Sequence, residues 1–120
     1  MILYYDRAGQ PIDAERISQL LVDHEYRRVA ETTVGPYWVS TIWLGVDHGF
    51  PLTGPGRPRK PVIFETMVFA PDGDAPWADI DCRRYCTEDE ARAGHEETVL
   101  LVRATLQDLP GDATVEPEER

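Results

Sequence analysis

The chain is poor in positive charge. Its 120 residues include 12 Lys and Arg against 22 Asp and Glu, a formal net charge of −10. That is the wrong sign for direct binding to DNA or RNA, where neutralising phosphate supplies most of the affinity, and equally for an anionic membrane surface. Long apolar runs are lacking too. The longest near the C-terminus, Val99 to Val102, falls far short of the roughly 18 residues that span a bilayer, so no membrane segment is expected. The first residues, Met1 to Asp6, have neither a basic leader nor the ~7 to 15 apolar residues of a secretion signal, which makes the cytoplasm the expected location. Only two cysteines are present, Cys82 and Cys86. If that stretch is extended at ~3.3 Å per residue they lie ~13 Å apart, beyond disulfide reach, and two reduced thiols suit a reducing compartment. With no second cysteine pair the chain has no zinc-site spacing, and each thiol reads as a small core residue. A Walker loop, a dinucleotide glycine fingerprint and a nucleophile elbow are all missing, as is the second histidine of a zinc-protease helix, because Val99 stands four residues after His95. No cofactor or metal is expected, and the familiar enzyme signatures are absent.

Ordinary globular usage is what remains. The chain is 42% hydrophobic and 28% charged, and at this length one domain can bury roughly two-thirds of its surface. Residues 1 to 71 hold 7 basic and 8 acidic residues, whereas residues 72 to 120 hold 5 and 14, so the acidity belongs to the C-terminal part. A single domain over 1–109 followed by an acidic, disordered tail over 110–120 accounts for this, the tail being too poor in apolar residues to offset its ordering entropy.

Periodicity predicts the order β-α-β-β-β-β-α. Ile2 to Tyr5 reads as a strand, and Pro11-Ile12-Asp13 opens a helix that carries Ile17, Leu20, Leu21 and His24 on one face and ends near Glu25. Tyr26 to Val34 and Tyr37 to Asp47, joined by Gly35-Pro36, read as a hairpin. Val62 to Ala70 is the clearest strand, and Ala78 to Tyr85 is a more polar one suited to an edge. Thr87-Glu88-Asp89-Glu90 is a capping box that starts a helix running to about Leu109, with Ala91, His95, Val99, Val102, Leu106 and Leu109 as its apolar stripe. The expected fold class is α+β: two layers, an antiparallel sheet of four to five strands with both helices on one face.

Three stretches carry a resemblance. Val39-Ser40-Thr41-Ile42-Trp43-Leu44-Gly45-Val46-Asp47-His48, Pro61 to Phe69, and Arg84-Tyr85-Cys86-Thr87-Glu88 leading to Gly94-His95-Glu96 resemble a set of small proteins of actinobacteria and their phages for which no activity is established. The resemblance covers most of residues 1 to 103 and implies context alone, a cytoplasmic accessory protein of phage or prophage.

Candidate functional residues fall into three groups. Asp47, His48, Glu65 and His95 are placed to converge, and a carboxylate buried beside an imidazole would have the shifted acidity a general base or ligand site requires. The plain structural alternative is that Glu65 and His95 pair with each other or with Thr and Tyr hydroxyls to satisfy buried polarity. Arg57, Arg59 and Lys60 make the proline-rich loop Gly49 to Pro61 basic, suited to an anionic ligand or simply to a solvated connection. Tyr37 and Trp43 share a parity opposite Ile42, Leu44 and Val46. With the helices over the aliphatic side, the two rings would lie open and mark an interface. The expectation is a non-enzymatic module that binds a protein partner or forms a homodimer, with a small-molecule or anion-binding pocket of Asp47, His48, Glu65, His95 and the basic loop 57–60, in a sequestering protein or an unrecognised hydrolase, as the alternative.

Overall fold

Short-range signals place most elements. The computed structural model describes residues 3–48, 60–70 and 82–108. Two short strands, β1 (Tyr4–Tyr5) and β2 (Pro11–Ile12), pair antiparallel around a turn where Asp6 accepts from the Ala8 and Gln10 amides. Helix α1 (Ala14–Leu21) begins where the Asp13 carboxylate accepts from the Arg16 amide. It stops at Val22, because Asp23 caps a new start, α2 (His24–Arg27), by accepting from the Tyr26 amide. The single helix expected to Glu25 is therefore two, and Pro11-Ile12 belongs to a strand.

Four strands then form one antiparallel sheet in sequence order: β3 (Arg28–Val34), β4 (Tyr37–Trp43), β5 (Phe64–Phe69) and β6 (Cys82–Tyr85). Gly35, at φ 58°, makes the β3–β4 turn with Pro36. A bulge between Arg28 and Ala30 leaves Arg28 exposed on one face while Val29 joins the buried core. Helix α3 (Glu88–Asp108) starts at the capping box: the Glu90 amide donates to Thr87 Oγ1 at 3.1 Å and the Thr87 amide donates back to Glu90 Oε1 at 3.2 Å. The fold is α+β, a four-stranded antiparallel sheet and a two-stranded one with three helices packed on them. Strand β1 does not extend the large sheet as a fifth ladder; a single bridge, Tyr4 to Val46, ties it there. The expected tail, 110–120, and Leu109 lie outside the described residues, as do 49–59 and 71–81.

Which face the helices cover is the main correction. Along β4 the odd positions Val39, Thr41 and Trp43 are fully buried, while Trp38 is 42% exposed and Ile42 half-buried. Helix α3 lies against the odd side, its stripe Ala91, His95, Val99 and Val102 buried there. Trp43 is the centre of that core, packed with Ile17, Leu20, Phe64 and Ala91. Its indole N–H donates to the Tyr5 carbonyl at 3.0 Å, and Tyr26 meets it edge-on at 5.0 Å. Tyr37 is half-buried against the Val34, Val39 and Val102 cluster. The rings expected to lie open are thus packed within one chain, and the open side is that of Trp38.

Gly94 lets α3 and β6 approach. A Cβ at this position would stand 2.2 Å from the Tyr85 ring and hydroxyl. Helix propensity alone favours Gly94→Ala by about 1 kcal/mol. Overpacking costs about 1–3 kcal/mol, and displacing the Tyr85 hydroxyl from Thr66 adds about 1 more. Urea denaturation of Gly94→Ala is expected to show a net loss of about 1–3 kcal/mol, and a smaller loss when the same change is made in a Tyr85→Ala background.

Candidate functional site

Two regions concentrate polar or apolar groups that the fold alone does not require to be there. The first is inside. His95 is 1% exposed, and each ring nitrogen meets a threonine hydroxyl: Nε2 to Thr32 Oγ1 at 2.9 Å, Nδ1 to Thr41 Oγ1 at 2.7 Å. Thr41 continues to Thr66 Oγ1 at 2.5 Å, to which the Tyr85 hydroxyl donates at 3.1 Å. One donor order satisfies every member: Tyr85 to Thr66, Thr66 to Thr41, Thr41 to Nδ1, and the Nε2 proton to Thr32. It holds the imidazole neutral. Burial pushes the His95 pKa down, opposed by the neighbouring Glu96 charge. The arrangement is a closed polar core, and no opening to it is needed to account for any of its groups.

The expected quartet does not converge. Glu65 lies on the opposite side of the sheet from His95, half-buried, where its Oε2 takes the Arg84 Nε proton at 3.0 Å and the Cys82 thiol at 3.4 Å. Asp47 accepts from the Val62 amide at 2.9 Å, and His48 is exposed, tied by its own amide to the Val62 carbonyl at 2.8 Å. Asp47 and His48 thus pin the strand that follows. Of the basic loop, Arg57 and Arg59 lie outside the described residues; Lys60 is exposed and its carbonyl accepts from the Cys86 thiol at 3.7 Å. Cys82, expected in the core, is exposed on an edge strand, Cys86 is half-buried, and the two are not bridged by a disulfide.

The second region is the open face of the sheet. Register places Trp38 beside Phe69, Ser40 beside Met67 and Ile42 beside Glu65, with Thr33, Glu31 and Arg28 on β3 and Cys82 and Arg84 on β6. Trp38 and Phe69 stack across the strands with centroids 5.1 Å apart, yet remain 42% and 43% exposed. At the β3 margin α2 adds a wall. His24, Arg27, Arg28, Glu31, Trp38, Ser40 and Ile42 line a groove of about 380 Å³ there. Sequence alternation marks none of the seven as lying on an open surface: it puts Trp38 and Ile42 on the side that the helices were expected to cover. The readable signal was the threonine parity: a histidine in the stripe of α3 requires hydroxyls opposite it, and Thr41 and Thr66 supply them from the Trp43 side.

Elsewhere the tie between the first turn and α3 is ionic. The Arg7 guanidinium grips both Glu88 oxygens, at 3.0 and 2.6 Å, and donates to the Tyr26 carbonyl at 2.9 Å, while Arg92 joins Glu88 from one turn further on. The hydrogen bond from Arg7 holds the Glu88 carboxyl below the usual range, against partial burial that raises it. Among the described residues no group of three or more His, Cys, Asp or Glu side chains is placed to hold a metal ion, and no helix is long and apolar enough to cross a membrane. Comparison of the chain with protein-family models, with curated proteins and with solved structures gives no match in any of the three.

A pH dependence follows from His95. Its folded-state pKa lies below the ordinary value of 6.5, so the unfolded chain binds the proton more readily. The stabilisation is fully present above about pH 6.5 and is lost as the pH falls through the depressed value, by at most about 1.4 kcal/mol per unit. Urea midpoints measured from about pH 7.5 down to 5.5 should fall, and His95→Gln should flatten that window. The Glu88 contribution is fully present above the ordinary carboxyl value of 4.5 and is lost as the pH falls from there through its depressed folded-state value, so it does not enter this window.

Proposed function

We propose that this protein is a non-enzymatic binding module whose working surface is the open face of the sheet, with a second copy of the chain as its occupant. The observation that carries this is the stacked, half-exposed pair Trp38 and Phe69, flanked by Ile42 and Met67. Aromatic groups with Met, and few charges at the centre, are the composition of an interface core. Charge favours a copy of the same chain. Arg28 and Arg84 balance Glu31 and Glu65 on this face, whereas the molecule as a whole carries −10. Two such molecules repel at most approaches, and a surface bearing both signs is self-complementary under a two-fold axis. A closed polar core at His95 offers no reacting group to substrate, which supports binding over catalysis. Two cysteines that form no disulfide with each other, and the resemblance to phage and actinobacterial proteins, support an accessory protein acting in the cytoplasm.

Sedimentation of the full chain should give a concentration-dependent dimer. Trp38→Ala and Phe69→Ala should each weaken it by about tenfold or more, the loss expected of a central aromatic, while the folded monomer loses only about the 0.5–1.5 kcal/mol of the cross-strand pair. A monomer at every concentration would sink this reading.

A further inference from the structure

The hydrogen bonds at His95 form one line that crosses the whole sheet beneath α3. From the β6 edge it runs through Tyr85, Thr66 on β5, Thr41 on β4, the imidazole, and Thr32 on β3, each step between 2.5 and 3.1 Å. Apart from the imidazole every member is a hydroxyl, which both donates and accepts. Two donor orders therefore satisfy the line. In the first, the hydroxyl protons point inward from Tyr85 and Nδ1 accepts from Thr41, which requires a neutral ring. In the second the ring carries both protons: Nδ1–H donates to Thr41, Thr41 to Thr66 and Thr66 to the Tyr85 oxygen, and the Tyr85 O–H turns outward. Nε2–H donates to Thr32 in both. Charging an imidazole that is only 1% exposed thus strands no buried donor or acceptor on the line.

We infer that this line is a reversible relay that reports the charge of His95 at the Tyr85 hydroxyl, on the edge of the sheet. Tyr85 lines a surface groove between β6 and α3 together with Arg83, Glu90 and Glu97. With the ring neutral, this edge presents a phenol oxygen that accepts; with the ring charged, it presents an O–H that donates. Only hydroxyl protons move, because the Tyr85 ring is packed against Gly94. The charges around His95 leave the relay intact. Glu96, exposed at the next position of α3, favours the charged ring. Arg92 is held by Glu88 and the Val29 carbonyl, and Arg83 by Glu97 and Thr98. Tyr37 on β4 packs in the Val102 cluster, and Arg28, Glu31, Glu65 and Arg84 lie on the opposite face of the sheet. Among the described residues no carboxylate bonds to the imidazole; the two threonines are its partners.

The test is an NMR titration of the full chain, labelled at the histidine ring nitrogens and the tyrosine Cζ, from about pH 7.5 down to about 4.5. At the neutral end His95 should be the Nε2–H tautomer. As it charges, the Tyr85 Cζ shift should follow the same midpoint while the amide spectrum stays that of the folded chain. Tyr85→Phe keeps the ring against Gly94. It leaves the neutral order with a spare lone pair on Thr66, but it deprives the charged order of the acceptor that Thr66 needs. Charging His95 in that variant should require about three- to tenfold more acid, the worth of one buried hydrogen bond. Thr66→Val cuts the line between the two ends: His95 should still titrate, and Tyr85 should no longer follow it. An Nδ1–H tautomer at the neutral end, an unchanged His95 midpoint in Tyr85→Phe, a Tyr85 response that survives in Thr66→Val, or global unfolding at the His95 midpoint would each overturn the relay.

Discussion

His95 sits between a helix and a sheet with a threonine hydroxyl on each ring nitrogen, and removing either hydroxyl would strand a polar atom in a dry core at a cost of about 1–3 kcal/mol. That requirement orients everything else. Helix α3 can lie on only one side of β3 and β4, the side carrying Thr32 and Thr41, because the opposite side presents Glu31, Trp38 and Ile42 to the same position. Once α3 is seated, Trp43 becomes the centre of the second half of the core. The β1–β2 turn, α1 and α2 collect around its indole, and the Arg7–Glu88 pair fastens that group to the start of α3.

The opposite face inherits what the core does not use. A pairing of Val, Thr and Trp on one side and Ser, Ile and Trp on the other gives both sides of β4 enough apolar area to be inside. The decision is made by hydrogen bonding, since burying Trp38 would add a few kcal/mol of transfer energy while stranding His95 would forfeit as much and leave two threonines unpaired as well. Gly94 then fixes how closely β6 docks, and the Tyr85 hydroxyl closes the polar chain at the sheet edge.

Much of this was legible in order and type. The hairpin at Gly35-Pro36, the strand through Phe64 to Phe69, the capping box at Thr87 and the stripe of α3 all carry strong local signals, and each stands where its chemistry put it. The two-residue ladder of β1 and β2 does not, because two residues hold no period. The break after Leu21 was hidden by an apolar face that is continuous only if Asp23 is ignored as a cap. Face assignment failed for a different reason: hydrophobicity weighed Ile42, Leu44 and Val46 above Tyr37 and Trp43, while the informative residue was the histidine on the helix. The quartet of Asp47, His48, Glu65 and His95 failed with it, since a one-residue difference in parity puts Glu65 and His95 on opposite sides of the sheet.

A half-exposed aromatic pair has an ordinary explanation, and magnitude decides how far it reaches. Stacking across the strands is worth about 0.5–1.5 kcal/mol, so Trp38 and Phe69 stabilise β4 against β5 whatever else they do. Threonine or valine at both positions would keep much of that pairing without presenting rings to water. The pairing energy therefore accounts for strand contact but not for the choice of two large rings on the face of the sheet opposite α3. The fold is served by less than the chain carries, and the surplus lies on the open side of β3 and β4, at whose β3 margin α2 stands.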